Sequence, residues 1–254
     1  METGSAGIED SLIDEARRLL AEADRRDVPM RLLGGMAVRL LLGDRIDGRF
    51  HRQIDDLDFI TTRKASREVE RLLENAGWEP ESRFNTLHGH RRLLFHEPTG
   101  ERKVDVFVER FEMCHALPLT QRIGAHPQTL PAAELLMSKL QIVQLNAKDM
   151  GDLYALLDAL EVASHDQDAI NADRIAQLTG ADWGLHHTFE LNLQRLLEQV
   201  GSIGLDDQAQ ARVAQRIQAL QQAMENAQKS RAWRMRARIG ERKRWYEEPE
   251  EAQR

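Results

Sequence analysis

The 254-residue sequence contains very little cysteine and few aromatic residues. Its single cysteine, Cys114, cannot form a disulfide within the chain, which excludes a disulfide-stabilised fold and the cysteine-rich zinc modules. Aromatic residues make up only 5% of the chain, whereas alanine, leucine, glutamine and glutamate recur in long stretches that favour helix. We therefore expect a reducing compartment and helix over most of the chain.

The sequence also lacks the segments that direct a protein into or through a membrane. No apolar run approaches the roughly 18 residues that a membrane span requires, and residues 1–12 lack the basic-then-apolar order of a secretory signal. A Walker A motif, a GxGxxG sequence and a GxSxG elbow are all missing, so the common NTPase, dinucleotide-binding and hydrolase classes have no support. With 41% hydrophobic and 30% charged residues, the composition is typical of a globular protein, and we expect a cytoplasmic location and no membrane partner.

Charge is unevenly distributed along the chain. The net charge of -7 argues against indiscriminate nucleic-acid binding by the whole protein. Residues 229–248 (KSRAWRMRARIGERKRWYEE) are nevertheless strongly basic and contain two tryptophans and a tyrosine. Two interpretations stay open: this segment tracks an RNA backbone and stacks on bases, or it folds back over the acidic mixed domain, with its tryptophans filling the seam between the domains.

The order of hydrophobic patterns predicts an α+β (mixed α/β) protein in two parts. Helices are predicted at 8–26, 36–43, 66–77, 132–145, 149–161, from about 171, at 183–200 and at 206–229; strands are predicted at 30–35, 56–62, 91–97 and 103–111. Strand patterns stop after residue 128, and prolines at 118, 127 and 131 interrupt the chain there. We expect a small mixed sheet with flanking helices over residues 1–128 and a helical domain over 129–254 that closes one side of a ligand cleft.

One set of glycines and carboxylates suggests chemistry. Gly34 and Gly35 end a strand and open a helix, where a backbone without side chains can approach a triphosphate and the helix N-terminus favours its charge. Asp56 and Asp58 are two residues apart on the next strand and so project from the same face. Asp105 lies in another apolar strand, KVDVFV. Carboxylates grouped in this way can share magnesium ions or accept a proton from an attacking hydroxyl.

A simpler interpretation treats these aspartates as turn, cap or edge residues paired with the many arginines. Aspartate is a poor strand former, however, and an unpaired buried carboxylate is costly. The three aspartates together with the glycine pair, in this order and spacing, favour a metal site.

The same residues carry a resemblance to a known family. LLGGMAVRLL followed by RQIDDLDFI and then KVDVFV resembles the nucleotidyltransferase-fold superfamily, whose pattern is a glycine pair, D-h-D and h-D-h. ELLMSKLQIVQLNAKDMGDLYAL is similar to a segment of the AbiEii-type and minimal nucleotidyltransferases, in which a lysine–leucine pair precedes a basic–Asp–x–x–Asp run. One departure is Met36, which stands where a serine or threonine often follows the glycines.

The resemblance implies a metal-dependent transfer of a nucleotide from an NTP, with Mg²⁺ or Mn²⁺ as cofactor. It assigns Asp56, Asp58 and Asp105 as metal ligands and catalytic residues, Lys139 as a further catalytic residue, and Gly34, Gly35, Arg39, Asp149 and Asp152 as nucleotide-binding residues. The acceptor is left open between tRNA, a protein and a small molecule. Two other functions also stay open: a weakly active nucleotide- or RNA-binding module, and a toxin-like regulator with an antitoxin partner.

Each residue outside the three aspartates also has a structural interpretation. Lys139 either reaches a phosphate or extends to solvent from an amphipathic helix. Arg39 contacts the same phosphates or is a surface arginine. Asp149 and Asp152 anchor the lysine or act as a second base, or they are residues favoured by the helix dipole near a helix N-terminus.

Overall fold

A computed structural model describes residues 3–100 and 102–248 of the chain. The helices are α1 (Thr3–Arg25), α2 (Gly34–Leu42), α3 (Ser66–Asn75), α4 (Ser82–His88), α5 (Ala132–Leu140), α6 (Ala147–Ala159), α7 (Ala172–Ala181), α8 (Trp183–Gln199), α9 (Asp207–Asn226) and α10 (Arg231–Ile239). The strands are β1 (Met30–Leu33), β2 (Asp56–Thr61), β3 (Glu79–Pro80), β4 (Arg92–His96), β5 (Lys103–Val108), β6 (Phe111–Glu112), β7 (Ala116–Leu117), β8 (Glu161–Ala163) and β9 (Ala169–Asn171). The expected α+β class is confirmed.

The chain divides into two compact units. The first comprises the residues up to Gly43, Arg52–Phe111 and Leu117–Pro131; the second comprises Asp44–His51, Glu112–Ala116 and the residues from Ala132 onward. We call them the sheet unit and the helical unit. Among the described residues, no helix is both long and apolar enough to cross a membrane.

The sheet unit is built on a five-stranded mixed sheet in the order β1-β2-β5-β4-β3. β2 and β5 run parallel, whereas the β1–β2, β5–β4 and β4–β3 pairs are antiparallel. Where β2 and β5 meet, one sheet face packs into the core through Leu57, Phe59, Val104 and Val106, which are all buried. Helices α1 and α3 contact each other, and their buried leucines and alanines extend this core.

The helical unit is held together by helices α5 to α9. α9 packs against α6, α7 and α8, and the Tyr154 hydroxyl donates a hydrogen bond to the Leu196 carbonyl oxygen across 2.8 Å. A buried ion pair of 3.1 Å joins Arg174 Nε of α7 to Glu134 Oε1 of α5. Two short parallel strands, β8 and β9, also lie in this unit, so the expectation of no strands after residue 128 was wrong. Three-residue strands are too short to produce a recognisable alternation.

Candidate active site

The three predicted carboxylates lie on one face of the sheet. Asp58 of β2 is the register partner of Asp105 of β5, and Asp56 is the partner of Lys103. Aligned residues of parallel strands project to the same face, as do residues two apart on one strand. We call Asp56, Asp58 and Asp105 the acid face. Its burial is graded, because the side chain of Asp105 is 2% exposed and that of Asp56 is 40% exposed.

The glycine pair adjoins this face because β1 pairs with β2. Leu33, the last residue of β1, is the register partner of Asp58, and Gly34 follows with a φ of +74° at the start of α2. A Cβ atom added to Gly34 would overlap the Asp58 carboxylate, and one added to Gly35 would overlap the Arg52 guanidinium. Only glycine lets these two charged groups lie against the start of α2.

Two cationic side chains, Arg92 of β4 and Lys103 of β5, face the carboxylates. Arg92 of β4 donates a hydrogen bond from Nε to Asp105 Oδ1 across 2.6 Å. The Lys103 ammonium lies 3.5 Å from Asp56 Oδ2 and 3.8 Å from Asp105 Oδ2. Burial alone would lower the pKa of Arg92, but the hydrogen bond to Asp105 and the charges of all three acid-face carboxylates raise it. The arginine therefore stays charged in a region dominated by negative groups.

The acid face suits a hard divalent cation. Its donors are carboxylate oxygens, which magnesium and manganese prefer, and the Lys103 ammonium already stands as a cation between Asp56 and Asp105. Within residues 3–100 and 102–248, no three His, Cys, Asp or Glu side chains are arranged to hold a metal ion as they stand. Asp105 instead turns one oxygen to Arg92 and the other towards Lys103. The role of the three aspartates as metal ligands stays a prediction.

A second ionic cluster lies in the helical unit. The Lys139 ammonium of α5 lies 2.8 Å from Asp149 Oδ1 and 3.1 Å from Asp152 Oδ2, both on α6. The two aspartates are three residues apart and so share one helix face. The side chains of the lysine and the two aspartates are 13%, 9% and 7% exposed. Lys139 therefore does not extend to solvent, and that interpretation was wrong.

The charge of this buried lysine is maintained by its partners. Burial would lower the pKa of Lys139, but the charges of Asp152 and Asp149 and their hydrogen bonds raise it. Asp149 and Asp152 thus anchor the lysine, as one of the two interpretations expected. Whether these residues and Arg39, which lies half-buried on α2, contact a nucleotide stays a prediction.

The basic C-terminal segment packs its aromatic rings within the helical unit. The Trp245 indole Nε1 donates to Thr188 Oγ1 across 3.0 Å, and Arg236 lies 4.7 Å from the centre of the Trp183 ring. The rings therefore pack on protein, but these contacts are with the helical unit, whereas the packing interpretation placed the tryptophans against the mixed domain. The α10 arginines 231, 234 and 238 are nevertheless exposed, so the segment also presents positive charge to solvent.

Three cations beside the predicted site were not among the predicted residues: Arg52, Arg92 and Lys103. Lys103 had a recognisable signal, since it lies two residues before Asp105 on the same strand and must share its face. Arg92 had none, because its position depends on the antiparallel pairing of β4 with β5. Arg52 lies in a loop, where the spacing of residues along the sequence does not predict the direction of a side chain.

Comparison with known proteins adds a weak likeness in fold. No protein-family model matches the chain, and no curated protein matches it. Among solved structures, the chain is similar to an antigenic nucleotidyltransferase-like protein from Paracoccidioides brasiliensis, with 14% identity over 78% of this chain and 93% of that one and a TM-score of 0.41. It is also similar to a STING-associated CdnE c-di-GMP synthase from Capnocytophaga granulosa, with 12% identity over 89% of this chain and 83% of that one and a TM-score of 0.27. Both TM-scores are low.

Proposed function

We propose that this chain is a metal-dependent nucleotidyltransferase that moves a nucleotide from an NTP to an acceptor hydroxyl and releases pyrophosphate. The observation that supports this proposal best is the shared face of Asp56, Asp58 and Asp105 beside the Gly34–Gly35 turn. Three carboxylates on one face concentrate negative charge that attracts a divalent cation, and the start of α2, where a helix N-terminus favours phosphate charge, adjoins that face. The assignment to the AbiEii type rests on the Lys139, Asp149 and Asp152 motif.

The acid-face carboxylates would hold Mg²⁺ or Mn²⁺, which when bound would neutralise phosphate charge in the transition state. In the transfer, the acceptor oxygen forms a bond to the α-phosphorus while the bond from that phosphorus to the leaving pyrophosphate breaks. Asp105 engages Arg92 through Oδ1, whereas Oδ2, 3.8 Å from the Lys103 ammonium, is the oxygen that would bind a metal ion or accept the acceptor's proton. Asp56, at the more exposed end of the face, is suited to contact incoming ligand.

The direct test is transfer of label from each α-³²P-labelled NTP, with Mg²⁺ or Mn²⁺, to tRNA, protein and small-molecule acceptors. We expect Asp56→Asn to reduce transfer by roughly 10²–10³-fold, the scale of losing one preorganised charge. Asp56 is suited to this test because its partial exposure leaves the core unchanged. The matched control is Asp14→Asn, which removes a 78%-exposed carboxylate from α1 and should leave transfer unchanged. Equal transfer by Asp56→Asn and the wild type would refute the proposal.

A second candidate function is an RNA-binding module without turnover. It is favoured by residues 229–244, in which eight lysines and arginines accompany a single glutamate, and by the absence of any buried residue in α10. Exposed arginines neutralise phosphates, and such binding weakens steeply with salt. Salt-sensitive RNA binding that is lost when Arg231, Arg234 and Arg238 become glutamine, together with no label transfer to any acceptor, would favour this function over the first.

A further inference from the structure

We propose that Lys103 is a positioning residue of the acid face: its ammonium stands in for a divalent cation between Asp56 and Asp105 and gives way when the metal binds. This inference rests on the proposed function, because it concerns the same three carboxylates. Lys103 is the register partner of Asp56 and lies two residues before Asp105, so its side chain must project among the carboxylates.

The two cations at the acid face are held very differently. Arg92 is 25% exposed, forms a 2.6 Å hydrogen bond to Asp105, and lies 5.3 Å from the Phe107 ring centre and 5.9 Å from that of Phe84. Lys103 is 47% exposed, and its distances to the carboxylates, 3.5 and 3.8 Å, are those of loose ion pairs. Charge-assisted hydrogen bonds to arginine are among the stronger protein contacts, whereas half-exposed ion pairs are weak. Arg92 is therefore the fixed counterion and Lys103 the exchangeable one.

In the metal-free protein, the repulsion among the acid-face carboxylates needs compensating positive charge. Asp105 is almost completely buried, and Asp56 and Asp58 lie on the same face, so three negative charges would repel one another without compensation. Arg92 offsets part of this charge, and Lys103 offsets more of it from the rim. A divalent ion delivers more charge to the same oxygens, and the flexible lysine stem allows the ammonium to move into solvent.

The inference predicts tighter metal binding when Lys103 loses its charge. In Mn²⁺ titrations followed by electron paramagnetic resonance of the free ion, without nucleotide, Lys103→Gln should bind Mn²⁺ about three- to tenfold more tightly than the wild type. The gain is modest because the displaced ion pairs are themselves weak. Lys103→Arg keeps the charge and should show no gain.

Lys64→Gln is the matched control, since it makes the same substitution at an exposed position beyond the far end of β2. β2 ends at Thr61, which is already five residues, or roughly 16 Å along the strand, from Asp56. Lys64 lies beyond that end, and this separation exceeds the screening length at physiological salt. Lys64→Gln should therefore bind Mn²⁺ as the wild type does.

The outcomes separate this inference from the proposed function. One outcome is that the wild type binds Mn²⁺, Asp56→Asn does not bind it, and Lys103→Gln binds it no more tightly than the wild type. The proposed role of Lys103 would then be wrong, and the metal site would be supported. If no saturable Mn²⁺ binding depends on Asp56, the metal site itself is wrong and the inference falls with it. If Lys103→Gln and Lys64→Gln both bind Mn²⁺ more tightly, the change in the protein's net charge explains the gain. That result would also overturn the inference.

Discussion

Replacing Lys139 by methionine should destabilise the protein by about 3–5 kcal/mol. Methionine keeps most of the apolar stem, so the change isolates the loss of the ammonium. That group compensates Asp149 and Asp152 at 2.8 and 3.1 Å, and their side chains are only 9% and 7% exposed. Without it, the two nearly buried carboxylates, one helical turn apart, lose the charge of their lysine partner, and breaking a buried ion pair by removing one partner costs about this amount.

Urea unfolding at pH 7, followed by the helical circular-dichroism signal, measures the effect. The exposed neighbour Lys148 provides the control, and Lys148→Met should change the free energy of unfolding by less than about 0.5 kcal/mol. The triple variant Lys139→Met, Asp149→Asn, Asp152→Asn should recover most of the lost stability, since removing all the buried charges together is far less costly. A loss below about 1 kcal/mol in Lys139→Met, with an unchanged m-value, would show that the two aspartates do not depend on the lysine.

The pH dependence of this cluster has a definite sign. The pKa of Lys139 is raised above its ordinary value of 10.5 by the two carboxylates, although burial acts against this. A lysine with a raised folded-state pKa contributes stability that is fully present below the unfolded value and is lost as the pH rises through the folded one. The contribution of the lysine charge should therefore be fully present at neutral pH and be lost as the pH rises into strongly alkaline solution.

Two further predictions concern a glycine and a histidine. Gly34→Ala should lower the free energy of unfolding by about 1–3 kcal/mol and abolish transfer, because the alanine would have a φ of +74° and its Cβ atom would clash with Asp58. Gly77→Ala is the control, since Gly77 has a φ of +95° and nothing near its Cβ position. This variant should show only the backbone cost and normal transfer. Burial and the charge of Lys229 lower the pKa of His186 to about 4 from 6.5. As the pH falls, this histidine is therefore protonated in the unfolded chain before it is protonated in the folded protein. The free energy of unfolding should drop by about 2 kcal/mol between pH 6.5 and 4. His186→Gln should remove that part of the drop, and an NMR titration midpoint near 6.5 for His186 would contradict the argument.

Local pattern was sufficient to locate the acid face. The apolar segments around Asp58 and Asp105 identified two strands, the two-residue spacing put Asp56 and Asp58 on one face, and the glycine pair marked the end of β1. These are properties of a few adjacent residues with a two-residue period. The side-by-side register of the two strands agrees with the expected grouping.

The partners of these carboxylates depended on contacts that local pattern does not contain. Arg92 reaches Asp105 because β4 lies on the other side of β5, and no spacing along the chain expresses that order. For Lys139, the sequence left open a phosphate contact or exposure to solvent, and anchoring by Asp149 and Asp152 was one of two interpretations. Only the packing of α5 against α6 shows that both aspartates contact the lysine. Burial of a charge is decided by the partner that compensates it, and such partners come from tertiary structure.

The parallel pairing of β2 with β5 also has a consequence for synthesis of the protein. Asp58 and its register partner Asp105 are 47 positions apart (105 − 58). At about 5–20 residues per second, a ribosome needs roughly 2–9 s to make the intervening segment. During that interval the nascent chain carries two aspartates of the acid face without the third. The acid face is therefore completed only after the whole β2-to-β5 segment has emerged, and a chain stalled before that point has no complete site for a divalent ion.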